Sequence, residues 1–74
     1  MHYKVIDRTE FSEDHGEYLA YGLLAEGEAP GVSHVKIAIN DISTDKQEVE
    51  KMAHLFETHQ LSYLHFQDAV EDML

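Results

Sequence analysis

Histidine and carboxylate side chains are the groups in this chain best suited to chemistry, and three of them fall at helical spacing. His65, Asp68 and Asp72 occupy positions i, i+3 and i+7 of a predicted helix, so one flank would carry an imidazole and two carboxylates. Such a set could bind a divalent cation, with His59 from the preceding linker as a fourth ligand. Zinc sites usually have tighter ligand spacing or thiolates, and the chain has no cysteine. The simpler interpretation is that His65 assists the start of the helix while both aspartates face water.

Signatures of other catalytic and ligand-binding sites fail on specific residues. Asp41, Ser43 and Asp45 resemble the first three ligand positions of a calcium-binding EF-hand loop. Lys46 then occupies the position that needs glycine, and Met52 the position that needs glutamate. The glycines have neither the dinucleotide-binding nor the P-loop spacing, no serine has the flanking glycines of a nucleophile elbow, and no thiol is present. We therefore expect neither an enzyme nor a cofactor.

Charge argues against two classes of partner. Fifteen acidic residues against five basic ones give a formal net charge of −10. A chain this acidic is repelled by nucleic-acid phosphates and anionic membranes, so we expect no direct contact with either. The acidity serves solubility, or it allows docking on a basic protein, including as a decoy for a nucleic-acid-binding protein. The N-terminal residues contain no long apolar run typical of a signal peptide or anchor, which predicts a cytoplasmic location.

The first part of the chain, up to about residue 40, has the pattern of strands. Apolar alternation predicts strands over residues 2–7, 17–26 and 32–39. Turn-forming residues separate them at 12–16 and 27–31, the latter holding the chain's single proline between two glycines. Connections this short join neighbouring antiparallel strands, so the pattern predicts a three-stranded meander.

The remaining part, residues 41–74, has the pattern of two helices. The first is predicted to begin near Thr44, which with Gln47 has capping-box spacing, and the second near Ser62. The apolar stripe of the first helix consists of Val49, Met52, Ala53, Phe56 and Gln60, widened by Leu55, and that of the second consists of Phe66, Ala69, Val70 and Met73, with Leu74 on the edge. Because the linker at residues 59–61 is short, we expect antiparallel helices on one face of the sheet. The predicted fold is α+β in the order βββαα, with residues 1–74 as one small domain.

Both faces of the predicted middle strand are apolar. Under strict alternation, Tyr18 lies on one face while Tyr21 and Leu23 lie on the other. Helices packed on one side would leave the other face uncovered, and a second copy of the chain is the simplest cover. We therefore predict a self-associating protein, most simply a homodimer, with Tyr18, Tyr21 and Leu23 as interface candidates. The residues also allow an unidentified protein partner. Two alternative functions stay open: a divalent-metal or small-ligand binder that uses the flank of His65, Asp68 and Asp72, and the acidic decoy.

Two runs in the second half of the chain resemble a known family. DISTDKQEVEKMAHLF at residues 41–56 and LSYLHFQDAVEDML at residues 61–74 are similar to a family of short uncharacterised proteins of clostridia and related Firmicutes, domain-of-unknown-function family 6514. Members typically carry a run like DISTD before the first helix and end in a run like VEDFL. The resemblance implies a single-domain bacterial protein, and it brings no activity with it.

Overall fold

Three strands are followed by two helices, in the predicted order. The computed structural model describes all 74 residues. Its elements are β1 (His2–Ser12), β2 (Gly16–Ala29), β3 (Val32–Ser43), α1 (Lys46–Thr58), a 3-10 turn (Tyr63–His65) and α2 (Phe66–Met73). The strands form one antiparallel sheet in the order β1-β2-β3. The α+β fold class and the βββαα order are confirmed. Neither helix has the length and hydropathy needed to span a bilayer.

The core lies between the helices and one face of the sheet. Leu23 and Ala25 of β2 have no exposed surface and pack with Tyr3 of β1. Tyr3 also stacks edge to face with Phe56 of α1 and Phe66 of α2, at centroid distances of 5.6 and 5.2 Å. The remaining core positions on the helices are Val49, Met52, Ala53 and Val70. The predicted apolar stripes therefore supply the helical side of the core, apart from four exposed residues, Leu55, Gln60, Met73 and Leu74.

Side-chain hydrogen bonds cap the start of α1 and the start of the 3-10 turn that precedes α2. Asp45, rather than the predicted Thr44, is the N-cap of α1, and its Oδ1 accepts a hydrogen bond from the Gln47 backbone N–H at 3.0 Å. A carboxylate is favoured here because its charge faces the positive end of the helix dipole. Ser62 caps the 3-10 turn rather than α2: its Oγ accepts a hydrogen bond from the Leu64 N–H at 3.3 Å. The chain then enters α2 at Phe66 without a side-chain cap, so the second helix begins four residues later than predicted.

All three strands are longer than their apolar pattern predicted. β1 continues past residue 7 to Ser12, and β2 begins at Gly16, so the two form a hairpin with its turn at residues 13–15. Gly16 has a φ of +70°, a conformation that glycine adopts without strain. The added residues of β1 are mostly polar, and a strand that buries neither face has no apolar periodicity to reveal it.

A bulge interrupts β3 opposite Gly22. Leu23 pairs with Ile39 while Tyr21 pairs with Ser43, so residues 40–42 stand opposite the single residue Gly22. A Cβ at position 22 would meet the backbone oxygen of Ile39, which explains why glycine is needed here. Because Gly22 alternates with the core residue Leu23, the bulge crosses the face of the sheet that the helices do not cover.

Candidate interaction surface

The sheet has one face that no helix covers, which we call the open face. Alternation along β2 places Leu24 on this face, opposite the core residues Leu23 and Ala25. The strand register then sets Lys4 and Ala38 on either side of Leu24, with Ile6 beside Gly22. Ile6 and Leu24 are half-buried and Ala38 is exposed. The apolar centre of the open face thus consists of Ile6, Leu24 and Ala38.

Charged side chains surround this apolar centre and balance one another. Lys4 Nζ lies 3.8 Å from Glu26 Oε1, and Arg8 Nε lies 3.3 Å from Glu10 Oε1. Lys36 stands directly across the strand pair from Glu26. Three of the five basic residues of the chain therefore lie on the open face, where they offset the carboxylates of Glu10, Glu26 and Asp41. On a chain with a formal charge of −10, the open face is a nearly neutral surface.

The far half of the open face is covered by the chain itself. The Tyr18 hydroxyl donates a hydrogen bond to Asp41 Oδ2 at 3.0 Å, which ties the bulge of β3 to β2. Asp41 adopts a φ of 55°, which aspartate tolerates better than most residues. The hydrogen bond to Asp41 is the main cause that raises the pKa of Tyr18, followed by burial and by the nearby carboxylates. Ala20, next to this bond, is only 1 % exposed.

The hairpin of β1 and β2 extends beyond the rest of the molecule, and we call residues 8–20 the hairpin arm. β3 pairs with β2 only as far as Tyr21, whereas β1 and β2 remain paired down to Ser12 and Gly16. The molecule is correspondingly elongated, with principal extents of 44, 21 and 17 Å. Two large apolar side chains are exposed on the arm: Phe11 at 73 % and Leu19 at 47 %. The arm is therefore a second surface that could make contacts.

The predicted interface residues fall in three different environments. Leu23 is fully buried in the core, so the prediction that it contacts a partner is wrong in this fold. Tyr21 is partly buried and packs against the core from the helix side. Tyr18 is partly buried and holds the bulge through Asp41. Both faces of β2 are apolar, as the sequence indicates, but the exposed apolar residues are not these three.

The sequence pattern does not predict that Phe11 and Leu19 are exposed. Phe11 stands between polar neighbours directly before the predicted turn at 12–16, whereas Leu19 lies within the apolar run of the predicted middle strand. Their exposure follows from the pairing of β1 and β2 beyond the edge of the helical layer. Only the strand register could have revealed it, because Thr9 pairs with Leu19 and Phe11 with Glu17.

The predicted metal flank does not assemble. No group of three or more histidine and carboxylate side chains is arranged to hold a metal ion. His65 ends the 3-10 turn, and only Asp68 and Asp72 belong to α2. A 3-10 turn advances by about 120° per residue rather than about 100°, so the i, i+3, i+7 spacing no longer describes one helical flank. All three side chains are exposed.

Two shallow grooves flank the helices. One follows the outer surface of α1 past His54 and Leu55 to Met73 of α2. The other lies between residues 38–42 of β3 and α2, where Ile42 and Val70 form part of its lining. No polar or charged residue of the chain is buried, so neither groove contains a desolvated acid or base.

Comparison with known proteins supports the resemblance found in the second half of the chain and extends it to the strands. The model of a family described as "Family of unknown function (DUF6514)" matches residues 1–74. No curated protein and no solved structure matches the chain. The protein therefore belongs to this family of unknown function, DUF6514.

Proposed function

We propose that the protein is a small protein-interaction module, rather than an enzyme, and that it associates with itself through the open face. The observation that carries the proposal is the nearly neutral surface around Ile6, Leu24 and Ala38 on an otherwise acidic molecule. Two identical chains repel each other over most of their surfaces. The open face is where that repulsion is weakest and where apolar side chains are available.

A twofold dimer requires a surface that is complementary to itself. On the open face, Lys4 and Arg8 of one protomer can approach Glu10 and Glu26 of its partner without net repulsion. The helical layer lacks this property, since residues 44–74 carry seven acidic and two basic side chains. A dimer built through the helices would bring like charges together.

The apolar contribution sets the concentration at which the dimer forms. Fully burying an isoleucine or leucine side chain contributes about 1.5–3 kcal/mol, and Ile6 and Leu24 are already half-buried. Completing their burial on both protomers contributes roughly 3–6 kcal/mol. Free energies of this size correspond to dissociation constants between roughly 6 mM and 40 μM. The dimer is therefore a weak one, and dilution separates it.

Light scattering across a concentration series tests the proposal. We expect a molar mass that rises from 8.5 kDa toward twice that value between roughly ten micromolar and one millimolar. Leu24→Lys should abolish the rise by adding a charge at the centre of the open face. Leu64→Lys is the matched control, since Leu64 is exposed on the 3-10 turn, away from the sheet. A constant 8.5 kDa for the wild-type chain, or equal effects of both variants, would contradict the proposal.

A further inference from the structure

The hairpin arm exposes two apolar side chains side by side. Phe11 pairs with Glu17 and Leu19 pairs with Thr9, so Phe11 and Leu19 are diagonal neighbours on one face of the ribbon. Diagonal neighbours stand about 7–8 Å apart, within reach of an aromatic ring. Both lie on the side of the sheet that carries the helices, but beyond the part that the helices cover. Together they form an exposed apolar pair near the tip of the molecule.

This pair stabilises nothing visible within the chain. Neither side chain belongs to the core or to the residues packed against it. A two-stranded ribbon without a covering layer is marginally stable in water, and the added strand residues pair only with each other. An aromatic side chain with 73 % of its surface in water at such a site is a natural contact residue.

Charge identifies the kind of surface that fits the arm. Residues 8–20 carry four acidic side chains, Glu10, Glu13, Asp14 and Glu17, against the single base Arg8, which pairs with Glu10. A second copy of this chain is a poor occupant, because its helical layer and its own arm are also acidic, and its open face is already used in the proposed self-association. A surface with apolar and basic groups complements both properties of the arm.

We propose that the hairpin arm docks, through Phe11 and Leu19 framed by its acidic residues, onto a basic apolar surface of a different protein. This contact uses a surface distinct from the open face. It therefore goes beyond the proposed self-association, and either contact can fail in experiment without the other.

A short amphipathic peptide of leucine and lysine serves as the probe, because it presents apolar and basic groups on one surface. Binding is followed by fluorescence anisotropy of the labelled peptide, and amide NMR of the wild-type protein locates the contact. We expect the shifted amide signals to fall within the arm, residues 8–20. We also expect a peptide of serine and lysine with the same charge to bind roughly tenfold more weakly or less, because it lacks the apolar groups.

Variants then test the two side chains directly. Phe11→Ser with Leu19→Ser should weaken binding by roughly tenfold or more. Leu64→Ser, which removes another exposed leucine outside the arm, should leave it unchanged. Three results would each overturn the proposal: no binding of the leucine–lysine peptide, shifted signals outside the arm, or equal losses in the double variant and the Leu64→Ser control. Because the NMR result needs no variant, the proposal is tested even if the double variant unfolds.

Discussion

Replacing Gly22 with alanine tests whether the bulge of β3 crosses the open face. The new Cβ would meet the backbone oxygen of Ile39 and lie 2.9 Å from the Cα of Asn40. Overpacking costs about 1–3 kcal/mol, and the upper end applies because these backbone atoms cannot rotate away as a flexible side chain would. Alanine offsets about 0.5–1 kcal/mol of this by lowering the entropy of the unfolded chain. We expect the free energy of unfolding to fall by roughly 2 kcal/mol.

Thermal unfolding followed by circular dichroism measures this loss at one fixed protein concentration. A loss of about 2 kcal/mol lowers the Tm of a domain this small by roughly 8–16 °C. It is a large share of the roughly 4–11 kcal/mol expected for 74 residues. Enlarging the side chain distinguishes a clash from ordinary backbone strain: Gly22→Leu should lower the Tm further. At Gly31, where no atom lies within 4 Å of the added Cβ, alanine and leucine should cost similar amounts. An unchanged or higher Tm for Gly22→Ala would contradict the claim that the bulge of β3 crosses the open face at Gly22.

Three further predictions concern the N-cap of α1, the raised pKa values of Tyr3 and Tyr18, and the lack of a metal-binding group. Asp45→Ala should lower the free energy of unfolding by about 1 kcal/mol, while Thr44→Ala should change it little. Equal losses for the two variants in denaturant titrations would contradict Asp45 as the N-cap of α1. Burial raises the pKa of Tyr3, and the Asp41 hydrogen bond raises that of Tyr18, above the ordinary value of 10.0, so the folded state retains protons that the unfolded state has lost. The stabilising contribution of the two tyrosines is complete below pH 10.0 and is lost as the pH rises through their raised pKa values. Tyr18→Phe should therefore reduce the loss of stability above pH 10.0, and an unaltered dependence of stability on pH would contradict this. Added zinc should leave the Tm unchanged, because no suitable ligand group exists, and a clear rise would overturn that statement.

The helices and the order of elements could be predicted because their signals are local. The apolar residues Val49, Phe56, Phe66 and Val70 recur at helical spacing, and all four are buried as expected. Turn-forming residues marked both strand connections, which fixed the meander. The cap was misplaced by one residue, since Thr44 and Asp45 are both good caps and only the geometry of the preceding strand end distinguishes them.

The surfaces could not be predicted because they depend on strand register. Both faces of β2 are apolar, so alternation alone does not say which face the helices cover. The pairing of Leu23 with Val5 and of Leu24 with Lys4 settles it, since the helices bury the face shared with Val5. The bulge at residues 40–42 also arises from tertiary structure: Asn40 and Asp41 permit it, but Gly22 on another strand makes room for it.

Amide NMR of the wild-type protein over a dilution series tests the central claim most directly, because it reports both whether the chain self-associates and where. We predict signals that shift with concentration for Ile6, Leu24 and Ala38 on the open face, while those of residues 11–17 at the tip of the hairpin arm and of α2 stay constant. Spectra that do not change up to roughly one millimolar would contradict self-association, since even a dissociation constant of about 6 mM leaves roughly a fifth of the chains dimeric at that concentration. Shifts confined to the arm or the helices would contradict the open face as its site.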